Sequence, residues 1–465
     1  MPRSLLWFRR DLRIDDHPAL AAAAAAGEVV PVFVVDPRLV ASSGAPRLAY
    51  MRAALQALDD SIGGALVYRY GDPVDVVPAL AAEVDADAVY VSRDFGPYGR
   101  SRDTEVAHRL AADDRRLIGV GSPYAVDPGR VTKADGTPYA VFTPFSRAWL
   151  AVGAESWRAP VATPRPGSVA WHGAPTVHCD GPLAEVVGAP PLPPVAAAEV
   201  HAQWTAFRAE GLHAYDSRRD LPAVEGTSRL SAAIRWGVVH PRTLLADLLP
   251  ERPHEVFRSE LAWRDFYADV LFRRPETAWQ NLQRSMDAMP VDTDAAARAR
   301  FEAWCAGRTG YPIVDAGMRE LWQTGWMHNR VRMIVGSFLV KHLIIDWRAG
   351  EEWFWDTLVD ADMASNPSSW QWVAGTGADA APYFRVFNPV LQGEKFDPDG
   401  TYVKRYVPEL ASLPPKYIHS PWTAPASVLK DAGVSLGFDY PHPMVDHQAA
   451  RDRALRTFEA LKGAV

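Results

Sequence analysis

Cysteine is almost absent from this sequence of 465 residues, which contains only Cys179 and Cys305. Two thiols exclude a disulfide framework and a four-cysteine zinc or iron–sulfur site, and we expect no metal centre. Long apolar runs are lacking as well, and the first residues lead into charged sequence without a cleavage site. These absences lead us to expect a cytoplasmic protein with no membrane partner, in which both thiols are passive.

A basic excess and a dinucleotide-binding loop are also missing. Lys and Arg number 49 against 56 Asp and Glu, which gives a net charge of −7. Proteins that hold nucleic acid through phosphate contacts usually carry a basic excess, so any such site here must be a local patch. No G-x-G-x-x-G motif follows the first predicted strand, and the usual dinucleotide fingerprint is therefore absent.

The length indicates two domains, because one hydrophobic core stops growing at about 250–300 residues. The first domain, over 1–130, is predicted to be an α/β domain with a doubly wound parallel sheet. This prediction rests on short apolar runs that alternate with helix-like segments. The runs lie at 5–8, 29–35, 65–70 and 88–91.

A connector and a helical domain are predicted to follow. Nine prolines between residues 159 and 194 favour an extended connector, which we place at 131–195. Beyond it the sequence has a helical period, and 13 of the 17 tryptophans follow residue 200. Residues 196–465 are therefore predicted to form an all-helical domain.

Three hydroxyl residues stand at the start of a predicted helix in the segment 226–231. A helix N-terminus offers free N–H groups and a positive dipole end, which favour a phosphate. Ser and Thr are also the usual N-caps, so for this motif taken alone capping is favoured by about three to one.

Two further segments place polar side chains beside aromatic or apolar ones. Glu260, Trp263 and Tyr267 lie on one helix face, which suits a flat ligand with a polar edge such as a base. The alternative is an amphipathic helix with Trp263 in the core. Asn329 and Met333 likewise share a face, beside arginines, and either line a nucleotide-sized pocket or belong to a buried helix.

The segment 360–389 is the densest in polar and aromatic side chains. It contains Asp360 and Asp362, then Asn366 before a proline, and then Trp370 and Trp372 in glycine-rich sequence. Packing alone does not explain this combination, and a functional role is favoured.

The sequence resembles the photolyase/cryptochrome flavoproteins, and within them the class I cyclobutane pyrimidine dimer (CPD) photolyases. The resemblance runs nearly end to end and implies a Rossmann-like α/β N-terminal domain with an all-α, FAD-binding C-terminal domain. It also implies a deoxyribodipyrimidine photo-lyase, in which reduced FAD absorbs blue light and donates an electron to a flipped-out CPD of UV-damaged DNA. The segments that carry it are 7–13, 227–231, 260–267, 325–333 and 370–397.

By the same resemblance FAD, reduced in the active form, is bound in a U-shaped conformation. Tyr215 and residues 227–231 match positions around its phosphates, and Asn366 matches the residue that faces flavin N5. The implied FAD-binding residues are Tyr215, Thr227, Ser228, Arg229, Leu230, Ser231, Arg332, Asp360, Ala361, Asp362 and Asn366.

For the lesion, the resemblance makes Glu260 the carboxyl that hydrogen-bonds the dimer and stabilises its radical anion. Trp263 and Trp372 match aromatic walls of the pocket, and arginines supply the local basic patch. The implied DNA-binding residues of this predicted monomer are Arg219, Glu260, Trp263, Asn329, Arg330, Met333, Trp372 and Arg385.

Photoreduction of resting FAD is implied to begin at Trp370 and to continue to Trp347. The family's third, surface tryptophan is missing, because Asp294 falls near its place. Three tryptophans could substitute for it, and their spacing does not distinguish them. They are Trp304, Trp353 and Trp355.

A second, light-harvesting chromophore is expected in the cleft between the two domains. The loop 94–100 lacks the Asn-Glu pair that members using methenyltetrahydrofolate carry there. This difference favours 8-hydroxy-5-deazaflavin over methenyltetrahydrofolate or FMN. Arg9 and Asp36 are the implied contacts.

Three alternatives carry less weight. A cryptochrome shares the fold and FAD but signals to a partner, and the combination of Glu260, Trp263, Asn329, Met333 and Asn366 argues against it. A (6-4) photolyase is expected to have histidines where Asn329 and Met333 stand. A dark flavin oxidoreductase that uses a nicotinamide cofactor lacks its dinucleotide fingerprint here.

Overall fold

The computed structural model describes residues 1–154, 157, 160–162, 164, 167–176, 186, 188–383 and 385–463. Cys179 and part of the predicted connector lie outside these residues. The chain divides into two compact units. The first consists of Met1–His213, Ser228–Pro275 and Val359–Ala364, and the second of Ala214–Thr227, Glu276–Leu358 and Ser365–Val465. The borders of these units differ from the domain boundaries predicted at residues 130 and 195. Those domain boundaries therefore stay a prediction.

The first unit contains all the described strands and part of the helices. The strands are β1 (Arg3–Phe8), β2 (Glu28–Val35), β3 (Val67–Tyr70), β4 (Ala88–Val91) and β5 (Arg116–Gly119). Its helices are α1 (Pro18–Ala26), α2 (Pro37–Ala41), α3 (Ala45–Ser61), α4 (Pro73–Glu83), α5 (Pro97–Ala111), α6 (Phe142–Gly153), α7 (Ala197–Glu210), α9 (Ser231–Trp236), α10 (Pro241–Ala246) and α11 (Arg252–Arg273).

The second unit is helical in its described residues. Its helices are α8 (Tyr215–Arg218), α12 (Ala295–Cys305), α13 (Pro312–Thr324), α14 (Asn329–Ser337), α15 (Trp347–Thr357), α16 (Ser365–Ala374), α17 (Pro389–Phe396), α18 (Thr401–Tyr406), α19 (Pro415–Ile418), α20 (Ala426–Asp431) and α21 (His447–Gly463). A π-helical turn, Phe338–His342, follows α14. Short 3-10 turns of this unit lie at Arg284–Ala288, Pro408–Leu410 and Pro421–Thr423, and two others, Leu212–Ala214 and Pro275–Ala278, begin in the last residues of first-unit segments.

The five strands form one parallel sheet in the order β3-β2-β1-β4-β5. The predicted doubly wound α/β fold is therefore confirmed. The central strands are recognisable because they are buried on both faces and are apolar almost throughout, as in β2. The sequence prediction missed β5, whose four residues are half-buried or exposed at the sheet edge and follow charged sequence.

The strand order reverses between β1 and β4, and ligands of open α/β sheets bind outside the carboxyl ends of strands at such a point. Side chains that follow these two strands meet there. The Ser92 hydroxyl donates to the Asp11 carboxylate over 2.6 Å, and Arg9 donates to the backbone carbonyl of Ser92. His17 lies 3.1 Å from Asp11 and, with the other hydrogen bonds to Asp11, holds the pKa of that buried carboxyl below its usual range although burial acts to raise it.

Within the same unit, α6 packs along α11. Asp265 of α11 accepts hydrogen bonds of 2.9 Å from the Trp149 indole and from the backbone N–H of Val126. Burial raises the pKa of Asp265 to about 6. The rings of Phe145 and Phe266 lie 5.0 Å apart between the same helices. The contact between α6 and α11 therefore combines a buried hydrogen-bonded carboxyl with aromatic packing.

The core of the second unit contains two buried acids that accept several hydrogen bonds each. Asp315 accepts from the hydroxyls of Thr309 and Tyr440, both over 2.6 Å. Glu320 accepts from the Tyr402 hydroxyl over 2.7 Å. Buried carboxyls are tolerated because these donors replace water. Among the described residues no helix of either unit is both long and apolar enough to cross a membrane.

Candidate active site

The predicted site residues are divided between the two units. The first unit holds Arg9, Asp36, Ser228, Arg229, Leu230, Ser231, Glu260, Trp263, Asp360, Ala361 and Asp362. The second unit holds Tyr215, Arg219, Thr227, Asn329, Arg330, Arg332, Met333, Trp347, Asn366, Trp370, Trp372 and Arg385.

The hydroxyl-rich segment before α9 does not cap that helix. Its N-cap is Leu230, and no side chain caps it. The capping interpretation, favoured for the isolated motif, is therefore wrong for α9. Arg229 has a positive φ of 51°, and the Ser228 carbonyl accepts a 2.7 Å hydrogen bond from the Gln203 side chain. The segment is thus shaped by the loop conformation and by a distant helix, not by capping.

Two arginines surround Asp362 in the first unit. Arg10 lies 2.5 Å from its carboxylate, and Arg235 donates to the Ala361 carbonyl over 2.8 Å and lies 3.8 Å from the same carboxylate. Burial, and after it the charge of Arg10, lowers the pKa of Arg235 to about 9. Arg10 Nε and Arg235 Nη1 are buried and have no hydrogen-bond acceptor among the described residues. This cluster is therefore rich in unsatisfied donors, which suits an anionic or carbonyl-rich ligand.

The predicted aromatic face of α11 is present. Trp263 and Tyr267 have ring centroids 5.4 Å apart, and Glu260 lies one turn before Trp263. Trp263 is half-buried and stacks on Phe142 of α6, with centroids 3.7 Å apart and planes within 7°. The helix thus presents a supported indole beside a carboxylate.

In the second unit, Asn366 is held by Glu351. The Asn366 amide nitrogen donates to the Glu351 carboxylate over 2.8 Å and to its backbone carbonyl over 3.1 Å. Both amide hydrogens are thereby engaged on one side, and the amide oxygen is directed away from Glu351. Asn366 is buried and shares a face of α16 with Trp370, four residues later.

Trp370 is enclosed by other rings. Phe354 and Trp304 make perpendicular contacts with it at 5.0 Å and 6.2 Å, and its indole N–H is buried with no acceptor among the described residues. Its ring covers Gly350, one turn after Trp347 on α15. Trp347 donates its own indole N–H to Asn281 over 2.8 Å. The Trp370 ring, which comes from α16, therefore lies against α15 at Gly350, one turn after Trp347.

The substitutes for the missing surface tryptophan differ in their access to solvent. Trp304 is fully buried. Trp353 stacks on Trp322, with centroids 6.0 Å apart and planes within 10°, and Trp322 is 68% exposed. Asp294 caps α12 by accepting the backbone N–H of Ala297 over 2.7 Å. Its carboxylate thus has a structural role in place of a ring.

The helix α14 begins at Asn329, which is exposed, and carries Met333 one turn later. Arg330 forms a 2.8 Å ion pair with Asp220, and its guanidinium lies 4.5 Å from the ring centre of Phe396. Arg332 donates to the Met327 carbonyl over 2.8 Å. Asn329 and Met333 are therefore consecutive on one face, as predicted, and the two arginines are fixed by different partners.

Tyr215, Arg219, Trp372 and Arg385 are further predicted residues of the second unit. The Arg219 guanidinium stands 5.4 Å from the ring centre of buried Tyr215. Trp372 is half-buried, and its carbonyl accepts the backbone N–H of Ala381 over 3.1 Å. Arg385 is exposed, near Phe387. These contacts leave Arg385 accessible to a partner.

Family models match both the N-terminal and the C-terminal part of the chain. The model of the DNA photolyase family matches residues 4–166, and that of the FAD binding domain of DNA photolyase matches residues 257–460. The chain belongs to the DNA photolyase family. A deoxyribodipyrimidine photo-lyase of Agrobacterium fabrum is 42% identical over 478 residues, which cover 98% of each chain. The predicted family resemblance is confirmed.

Two solved structures of the photolyase/cryptochrome fold are similar over almost the whole chain. A bacterial class III photolyase from Agrobacterium tumefaciens has a TM-score of 0.90 and 40% identity, covering 100% of this chain and 98% of that one. The cryptochrome of Synechocystis sp. PCC6803 has a TM-score of 0.85 and 29% identity, covering 98% and 99%. Since the first is described as class III, the class I assignment of this DNA photolyase stays a prediction.

Family membership confirms the predicted FAD-binding domain and the predicted enzyme type, a flavoprotein lyase of DNA repair. Sequence reasoning missed three residues that contact predicted site residues of this DNA photolyase. Glu351 holds Asn366, Arg235 donates to the Ala361 carbonyl beside Asp362, and Phe142 stacks on Trp263. Arg10 lies within the segment 7–13 that carried the resemblance, but its pairing with Asp362 has no local sequence signal.

Proposed function

We propose that this photolyase splits cyclobutane pyrimidine dimers in UV-damaged DNA by blue-light-driven electron transfer from reduced FAD. The observation that carries this proposal is the common face of α16. There an amide oriented by Glu351 and a buried indole stand one turn apart, at Asn366 and Trp370. A neutral amide suits a reduced flavin, and a buried indole can supply an electron for its photoreduction.

Several of the proposed FAD contacts have properties that suit the cofactor. When bound and reduced, FAD supplies the light-driven electron. In the first unit, Arg235 and Arg10 offer unsatisfied donors beside Asp362, and they fit the polar part of a flavin nucleotide. In the second unit, Asn366 would accept a hydrogen bond at its amide oxygen, directed away from Glu351.

The other proposed FAD contacts are assigned by the family resemblance. They follow the same division between the units. Ser228, Arg229, Leu230, Ser231, Asp360 and Ala361 belong to the first unit, and Tyr215, Thr227 and Arg332 to the second.

For the lesion we propose that Trp263 is an aromatic wall and Glu260 the hydrogen-bonding carboxyl. Stacking of a base on an aromatic side chain contributes about 1–3 kcal/mol to the binding free energy. Every base has a flat face, so this contribution does not depend on the sequence. Selection of a dimer then depends on extrusion, which costs least where pairing is already weakened. By the family resemblance we propose Asn329, Met333 and Trp372 of the second unit as further lesion-binding residues.

We propose that three arginines contact DNA phosphates: Arg219, Arg330 and Arg385. Arg385 is exposed, so its guanidinium can contact a phosphate directly. Arg330 is paired with Asp220, and a phosphate would replace part of this ion pair. The affinity should fall with salt, because each neutralised phosphate releases counterions. We propose in addition that the protein acts in the cytoplasm as a monomer.

For photoreduction we propose the relay Trp370 to Trp347. For the surface end we propose Trp353, because it stacks on exposed Trp322, whereas Trp304 has no access to solvent. The buried indole N–H of Trp370 is a further reason to place the start of the relay at the flavin, which carries acceptor atoms.

We propose 8-hydroxy-5-deazaflavin as the antenna chromophore, because the loop 94–100 lacks the Asn-Glu pair typical of members that use methenyltetrahydrofolate. Its two proposed contacts are already engaged in the first unit. Arg9 donates to the Asp103 carboxylate over 2.5 Å and lies 4.9 Å from the ring centre of Trp7, while Asp36 accepts from the Tyr98 hydroxyl. An antenna held by Arg9 and Asp36 must therefore replace these contacts.

A binding experiment in the dark tests the substrate. Labelled oligonucleotides with one CPD, one (6-4) photoproduct or no lesion are titrated with the protein at two salt concentrations. We expect the CPD to be preferred over undamaged DNA by at least about tenfold, and Trp263→Ala to reduce this preference by about tenfold. Trp279→Ala is the matched control, since Trp279 is 55% exposed and outside the proposed site.

The alternatives predict other results. A preference for the (6-4) photoproduct contradicts the proposed substrate. FAD binding without any lesion preference favours a cryptochrome-type photoreceptor, and one of the matched structures is named a cryptochrome.

A further inference from the structure

We propose that Phe142 is a positioning residue for lesion recognition, because its ring fixes the plane in which Trp263 meets a damaged base. This inference rests on the proposed function, in which Trp263 is a wall of the lesion pocket. Phe142 is the first residue of α6, and Trp263 belongs to α11. The two rings thus come from separate elements of the first unit.

The geometry of the pair is that of a parallel stack. The ring centroids are 3.7 Å apart and the planes differ by 7°. Two further rings contact Trp263, but neither is parallel to it: Phe266 is inclined by 75° at 5.7 Å and Tyr267 by 43° at 5.4 Å. Among these three neighbours only Phe142 makes parallel contact with a face of the indole.

This arrangement restricts the indole to one orientation. A tryptophan on a helix surface can rotate about its side-chain bonds, and ordering it on binding costs free energy. A stacked ring on one face and inclined rings beside it remove that freedom before DNA binds. Support of a binding residue by a packed neighbour is a general means of preorganising a site. Phe142 would therefore increase the affinity for an extruded lesion without touching it.

The attachment of α6 does not depend on Phe142 alone. Further along the helix, Trp149 donates to Asp265 over 2.9 Å, and the Phe145 ring packs on Phe266 at 5.0 Å. Both contacts join α6 to α11 independently of the Phe142 ring. Replacement of Phe142 should therefore release Trp263 while α6 stays in place.

The test compares three variants in the dark-binding experiment. Phe142→Leu should weaken binding of CPD-containing DNA by about three- to tenfold, the range expected for an aromatic pair, and leave undamaged DNA unchanged. Phe142→Tyr keeps a stacking ring and should stay within about twofold of the wild type. Phe145→Leu is the matched control, since it removes a ring of the same size from α6 that does not stack on Trp263, while Trp149 still joins α6 to Asp265 of α11.

A spectroscopic measurement distinguishes positioning from general packing. In protein labelled with 5-fluorotryptophan, the Trp263 signal is assigned by its loss in Trp263→Phe. Phe142→Leu should shift and broaden this signal, while Phe145→Leu should leave it near its original position. An unchanged Trp263 signal in Phe142→Leu overturns the inference.

The binding outcomes separate the inference from the function on which it rests. A wild-type protein without lesion preference refutes the proposed function and this inference together. A wild-type preference that Phe142→Leu retains, or that Phe145→Leu loses to the same extent, overturns the inference alone.

Discussion

Gly350→Ala is expected to destabilise the second unit, although alanine is the better helix former. A methyl group at this position of α15 would overlap the Trp370 ring and lie 2.6 Å from Leu339 Cδ2. The Trp370 ring is 3% exposed and enclosed by Phe354 and Trp304, so it has little room to retreat. Overpacking of this kind costs about 1–3 kcal/mol. Alanine in a helix recovers about 0.5–1 kcal/mol, which leaves a net loss of up to about 2.5 kcal/mol in the free energy of unfolding.

The matched control is Gly336→Ala on α14, which approaches the same ring from another helix. A methyl group there would lie 3.5 Å from Trp370 Cζ3 and 3.6 Å from Val373 Cγ1, which are ordinary contacts. This variant should be neutral or more stable by up to about 1 kcal/mol. Urea unfolding of both variants, at matched FAD occupancy, measures the difference. Equal stabilities for the two variants would refute the packing described around Trp370.

Three further predictions concern pH, photoreduction and DNA. Burial, and then His447, lowers the pKa of His342 to about 3, so its neutral form is favoured in the folded state and stability falls as pH drops below about 6.5. Between pH 7 and pH 5 the loss is about 2 kcal/mol, and urea unfolding of His342→Phe should lack this contribution. Trp370→Phe should abolish photoreduction of FAD, followed by absorbance, yet spare repair by chemically reduced enzyme; normal photoreduction would contradict the relay. Arg330→Ala should weaken binding to all DNA sequences and reduce the salt slope by about 1, and an unchanged slope would remove Arg330 from the phosphate contacts.

The parts of the fold that could be predicted are those whose burial is visible in the local sequence. Strand β2 is apolar almost throughout because both its faces are covered, and α11 shows its aromatic face through residue spacing. Strand β5 lies at a sheet edge and is partly exposed, so its four residues have no distinct apolar run. Its place in the sheet depends on pairing with β4, which is a tertiary contact.

The parts of the site that could not be predicted depend on contacts between distant residues. Arg235 and Asp362 are far apart in the sequence, and no local sequence pattern around either residue predicts their contact. Glu351 and Asn366 belong to consecutive helices, so no helical period relates them. The segment before α9 had the composition of a helix cap, but a left-handed residue at Arg229 places Leu230 at the cap position instead. Which of these residues bind FAD or the lesion stays a prediction, whereas the contacts that hold them depend on the tertiary fold.

The central claim, light-driven splitting of cyclobutane dimers, is tested most directly by photorepair of UV-irradiated oligo(dT). The purified protein with its flavin reduced is mixed with the oligonucleotide, and one half is exposed to blue light while the other stays dark. Dimers are then quantified by chromatography. The account predicts loss of dimers beyond one turnover in the light and none in the dark. Dimers that persist under blue light, with FAD bound and reduced, would contradict it.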